Sequence, residues 1–92
     1  MNPDLAENQE FEAIGDACFS YLVGDVEELQ RFMAISGYDS DSIRSAVGSE
    51  SLLRGMMEYF AANEPALLAL CANSGLSASR FMRAWHKLNP HG

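Results

Sequence analysis

Apolar residues recur at spacings of three and four along most of the chain, and the recurrence breaks at short, regular intervals. Over residues 7–23, Phe11, Ile14, Cys18, Tyr21 and Leu22 trace one stripe of a helical surface. Over 50–62 the apolar set Leu52, Leu53, Met56, Met57, Tyr59 and Phe60 covers more of the circumference. That width predicts a helix covered on more than one side, hence the centre of the domain. No stretch shows the period-two alternation of β-branched residues that a strand requires.

The breaks fall at Gly24, Gly37, Gly48, Asn63 and Gly75, each at or just before a short oxygen-bearing side chain. Glycine accepts the left-handed position after a helix end, and Ser, Asp or Asn then satisfies the first amides of the next helix. The pattern predicts helices at 7–23, 26–36, 40–47, 50–62, 64–74 and 78–88, with N-caps Asp25, Asp39, Ser49, Asn63 and Ser77. Pro65 falls in a first turn, where a missing N–H costs nothing. The expected fold class is all-α, a bundle of six short helices in a single domain spanning 1–92, with flexible tails at 1–6 and 89–92. Gly55, inside the fourth helix, predicts a close neighbour, because an interior glycine costs about 1 kcal/mol against alanine.

The chain also matches itself. Shifted by 38 residues, Phe11 to Ala46 lies over Ser49 to Ala84 without a gap. Glu12 meets Glu50, Tyr21 meets Tyr59, Ser36-Gly37 meets Ser74-Gly75, and apolar Ile14, Cys18 and Phe32 meet Leu52, Met56 and Leu70. The expectation is a duplicated three-helix unit, halves 11–46 and 49–84, related by a pseudo-twofold.

Composition narrows the partners. Six basic and thirteen acidic residues give a net charge of −7, which disfavours nucleic acid, since affinity for phosphate backbones rests on Lys and Arg. The charge is uneven: residues 1–50 carry −9 and residues 51–92 carry +2. Two cysteines, Cys18 and Cys71, lie in apolar segments and read as buried free thiols of a reducing compartment. The N-terminus lacks the basic start of a secretion signal, and no apolar run reaches about 18 residues. A cytoplasmic location without membrane association is expected.

Candidate chemistry concentrates in the last helix. Phe81, Trp85 and Leu88 share a stripe, flanked by a basic ridge of Arg80, Arg83 and Lys87. Arg80, Arg83, Trp85 and Lys87 are the expected protein contacts, provided Trp85 is exposed. Cys71 to Ser77 resembles the turn of a helix-turn-helix, which would aim Ser79, Arg80, Arg83 and His86 at a DNA groove. Asp39, Asp41 and Glu50 fall at calcium-loop spacing, but Ile43 and Arg44 replace the required ligand and glycine. His86 and His91 lack a cysteine at zinc spacing, no phosphate-cradling loop is present, and nothing marks a catalytic pair. No cofactor, metal or catalytic residue is expected, and the Met residues read as core filler.

The succession Glu27-Glu28-Leu29-Gln30-Arg31-Phe32-Met33, Ser36-Gly37, Ile43-Arg44, then Glu64 to Leu70 and Gly75-Leu76 resembles the domain-of-unknown-function 3572 family over about residues 10–88. These are small bacterial proteins. The resemblance implies a compact helical fold in the cytoplasm and brings no activity or functional residue. The expected function is that of a non-enzymatic interaction module binding another protein or a second copy of itself. The alternative is a helix-turn-helix regulator.

Overall fold

The computed structural model describes residues 3–90, with side chains from residue 9 onward. Its elements are α1 (Pro3–Gly24), α2 (Val26–Ser36), α3 (Ser40–Ala46), α4 (Glu50–Ala61), α5 (Glu64–Ser74) and α6 (Ala78–Leu88). No strand occurs among the described residues. The helices stop where their amides and carbonyls find local partners. Asp25, Asp39, Ser49, Asn63 and Ser77 each accept a hydrogen bond from the backbone N–H three residues on, as N-caps do. Two boundaries differ from expectation. α1 opens at Pro3, not residue 7, because proline suits a first helical turn; residues 3–6 of the expected tail are therefore helical. Residues 1, 2, 91 and 92 of the expected tails lie outside the described residues. Gly24 ends α1 without a left-handed backbone, which among the described residues only Gly37, Gly48 and Gly75 adopt.

The core forms around α4, which packs on all five other helices. Leu52, Met56, Met57, Tyr59 and Phe60 of α4 are buried. They meet Ile14, Cys18 and Leu22 of α1, Phe32 of α2, Leu67 and Leu70 of α5, and Phe81 and Ala84 of α6 in one cluster. Aromatic edges tie it together: Tyr59 stands edge-on to Phe32 at 5.6 Å and to Phe60 at 5.2 Å between centroids. Such pairs add about 0.5–1.5 kcal/mol beyond their area. Gly55 is less crowded than its position predicted. An added Cβ would lie 3.5 Å from Tyr38 Cε2, an ordinary contact. The tighter glycine is Gly15, where a Cβ would stand 3.2 Å from Leu53 Cδ1.

Local geometry repeats at the 38-residue offset. α2 and α5 start and stop in register, and their N-caps Asp25 and Asn63 share φ of −135° and −133°. Gly37 and Gly75 both close a helix in the left-handed region, donating to Met33 O and Cys71 O at 3.0 and 2.9 Å. Ser36 Oγ and Ser74 Oγ each accept from the amide two residues on. The packing interlocks: α1 rests on α5 as α4 rests on α2.

A groove where the two halves differ

The third helix of each half sets the site. α6 runs eleven residues and packs on α1, α4 and α5, whereas α3 runs seven and has α4 as its one substantial neighbour. Phe81 is wholly buried and Ala84 nearly so. Their register partners Ile43 and Ala46 are half-buried, and no residue of α3 is buried. The chain leaves α3 through Val47 and the left-handed Gly48 to reach Ser49, the cap of α4. At the corresponding point α6 continues for another turn carrying Trp85 and Leu88, both packed on the core.

The strip of α1 that a longer α3 would cover is therefore open. It forms a groove of about 530 Å³ with Phe11, Phe19, Leu53 and Leu88 in its walls and Val47 at its lip. Phe19, Leu52 and Met56 continue it into a cleft of about 150 Å³ beneath α3, between Val23, Met33 and Ile43. Phe19 is half-buried, while its register partner Met57 is wholly buried. Val47 and Val23 are more than half exposed. Glu12, Asp16 and Glu50 stand on the rim. Glu50 meets Arg54 at 3.1 Å, but no ion pair among the described residues involves Glu12 or Asp16. The result is an apolar trough with an acidic edge.

Other concavities follow from the interlocked packing. A hollow at Tyr38, Gly55 and Tyr59, between α2 and α4, matches one at Ala17, Tyr21 and Asn73, between α1 and α5. Tyr59 corresponds to Tyr21 and Gly55 to Ala17 at the 38-residue offset. A feature present in both halves belongs to the architecture. The trough beside α3 instead spans the seam, taking Gly15 and Glu12 from α1 and their register partners Leu53 and Glu50 from α4.

The α6 candidates are spread around that helix. Arg80 and Arg83 face outward, Arg80 Nε lying 3.5 Å from Glu10 Oε1 across to α1. Lys87 is exposed and lines a small dimple with Glu10, Phe11 and Arg83. Trp85 is half-buried against the core, so it does not stand out as an exposed aromatic anchor. His86 is exposed, and His91 lies outside the described residues. Among the described residues, no group of three His, Cys, Asp or Glu could hold a metal ion. No helix of them is long and apolar enough to cross a membrane.

One charged residue escaped the sequence pattern. Glu28 is 5% exposed and meets Arg31 Nη1 at 2.8 Å. It lies in the first turn of α2, where acidic side chains suit the helix dipole. Its register partner Ala66 is equally buried, so the repeat marks this as a core position. Burial, and then the Glu28 charge, push the Tyr21 and Tyr59 phenols up. The Tyr59 hydroxyl is buried outside hydrogen-bonding geometry with any partner. Both cysteines are free; Cys18 is buried, and Cys71 is half-buried where burial was expected. Burial pushes the Cys18 thiol up to about 12, and the Cys71 thiol upward too. All four groups are held in protonated forms, the opposite of what an activated nucleophile requires.

Comparison with curated proteins and with solved structures finds no match. A family model does match, over residues 8–91, and it takes in all six helices except the first residues of α1. The chain therefore belongs to the DUF3572 family of proteins of unknown function.

Proposed function

We propose that this protein is a non-enzymatic, cytoplasmic protein-interaction module that docks its partner in the trough between α1, α3 and α4. The observation behind this reading is the apolar trough itself, which opens where the short α3 leaves α1 and α4 uncovered and has exposed Val47 and Val23 at its edges. Exposed apolar surface rimmed by charge marks association sites, and helical domains commonly bind partner helices in such grooves. The raised thiols and phenols favour binding over covalent catalysis. The free cysteines suit a reducing compartment.

The helix-turn-helix alternative has weaker support. The left-handed glycine turn before α6 recurs before α3, where Asp41 is exposed, and Arg80 leans toward Glu10. Pull-down of the tagged chain from its host's lysate, with and without nuclease, separates the two readings. The module reading expects a defined protein that survives nuclease and is lost with Val47→Arg. Recovery that vanishes with nuclease would replace it with the alternative, whereas a nuclease-resistant protein lost with Arg80→Glu/Arg83→Glu and unaffected by Val47→Arg would move the docking surface from the trough to α6.

A further inference from the structure

The 38-residue register describes what the trough lacks. In the second half, the last turn of α6 lays Trp85 and Leu88 on the core beside α4. Arg54 of α4 donates to the Leu88 carbonyl at 3.0 Å, closing that helix end. The first half has no turn at this place, because Val47 and Gly48 lead into α4. On α1, Phe19 stands where α4 has Met57, and Asp16 where α4 has Arg54. The apolar seat is thus preserved, while the charge beside it is reversed.

We infer that the trough takes a short cationic amphipathic helix from another protein, which supplies the turn missing from the first half. The inference rests on the proposed docking function and names the chemistry of its partner. The occupant would carry two bulky apolar residues three apart, as Trp85 and Leu88 are, to fill the space beside Phe19 and Leu53. It would bring Lys or Arg to Glu12 and Asp16, neither of which has a cation among the described residues. A helix C-terminus, which suits Arg54, is repelled by Asp16, because terminal carbonyls carry partial negative charge. A second copy offering its own α6 is a poor match. That helix buries Phe81 and Ala84 in its own core and has only its polar face to present.

The test is selection of a displayed library of random twelve-residue peptides on the intact chain, in parallel with its Glu12→Lys/Asp16→Lys variant. Both positions are exposed, so circular dichroism of the variant should be unchanged. The expected winners are net positive with apolar residues three or four apart. They should bind the variant at least tenfold more weakly, lose affinity with salt, and shift the amide resonances of Gly15, Phe19 and Gly48. Winners without net positive charge that still shift those resonances would overturn the cationic occupant and leave the docking reading standing. Binding that maps elsewhere, or no enrichment at all, would overturn both. A dimer in sedimentation that the variant abolishes, with no peptide bound, would replace the occupant with a second copy.

Discussion

Gly15 of α1 faces Leu53 of α4 so closely that a Cβ added there would stand 3.2 Å from Leu53 Cδ1. The two residues are 38 apart and coincide when the chain is laid over itself. Equivalent positions touch only where the two halves meet, so this contact fixes the separation of α1 and α4. Alanine at Gly15 requires the end of Leu53 to give way by a few tenths of an ångström. At Gly55 the nearest atom is Tyr38 Cε2 at 3.5 Å, and nothing needs to move. Gly55→Ala should therefore stabilise the fold by up to about 1 kcal/mol, the helix-propensity difference. Gly15→Ala should gain less or lose. Urea unfolding of both variants decides the order; equal gains would mean that Leu53 yields freely.

Tyr59 carries a buried hydroxyl outside hydrogen-bonding geometry with any described residue, although burial, and then a Glu28 carboxylate lying near enough, push its phenol up. Removing a buried, unsatisfied polar group relieves a penalty of about 1–3 kcal/mol, while the ring keeps its edges against Phe32 and Phe60. Tyr59→Phe should leave the Tm unchanged or raise it. A clear fall would show that the hydroxyl closes onto the Glu28 carboxylate in solution.

The thiols offer a pH test. The Cys18 thiol is held up to about 12 against an ordinary 9.0. Its folded-state value is raised, so its contribution is full below the unfolded value and is lost as pH rises toward the folded one. Stability should fall above about pH 9, by at most about 1.4 kcal/mol per pH unit for a single group. Cys18→Ala should flatten that slope while costing packing energy. At pH 8 a thiol reagent should modify half-buried Cys71 well before Cys18; equal rates would refute the burial difference.

α3 should be the least protected helix. Its first turn depends on a reciprocal box in which Ser42 N–H donates to the Asp39 carboxylate at 2.8 Å and Asp39 N–H donates to Ser42 Oγ at 2.9 Å. Hydrogen bonds to that carboxylate, from the Ser42 amide first and then from the Ser42 side chain, hold the exposed Asp39 carboxyl below its ordinary 3.8. The box is intact above that value and weakens as pH falls through the lowered one. Below about pH 3.8, amide exchange at Ser42 and Ile43 should quicken in the native chain more than in Asp39→Asn, which does not titrate. Asp39→Ala should speed exchange in α3 at every pH and leave α6 untouched.

Local chemistry made most of the fold legible. A cap needs one oxygen at one position, and all five of Asp25, Asp39, Ser49, Asn63 and Ser77 fill that role. The width of the apolar stripe placed α4 at the centre. Packing distance is not written in a single residue, so Gly55 looked like the close approach when it was Gly15. The trough was equally hidden. It arises from a difference in length between α3 and α6, and only the packing shows what that difference leaves uncovered. Glu28 was within reach, because laying it over Ala66 puts a carboxylate at a position the second half buries.

The cross-packing of the halves also orders events on the ribosome. Ile14, Cys18 and Leu22 of α1 lie in a core that α2 covers only in part, and α1 packs also on α4, α5 and α6, which follow later in the chain. A nascent chain that has emerged only through α3 has made half of its helices and still holds bare hydrophobic surface. The domain therefore closes late in synthesis, when α5 and α6 clear the tunnel and complete the cover of α1.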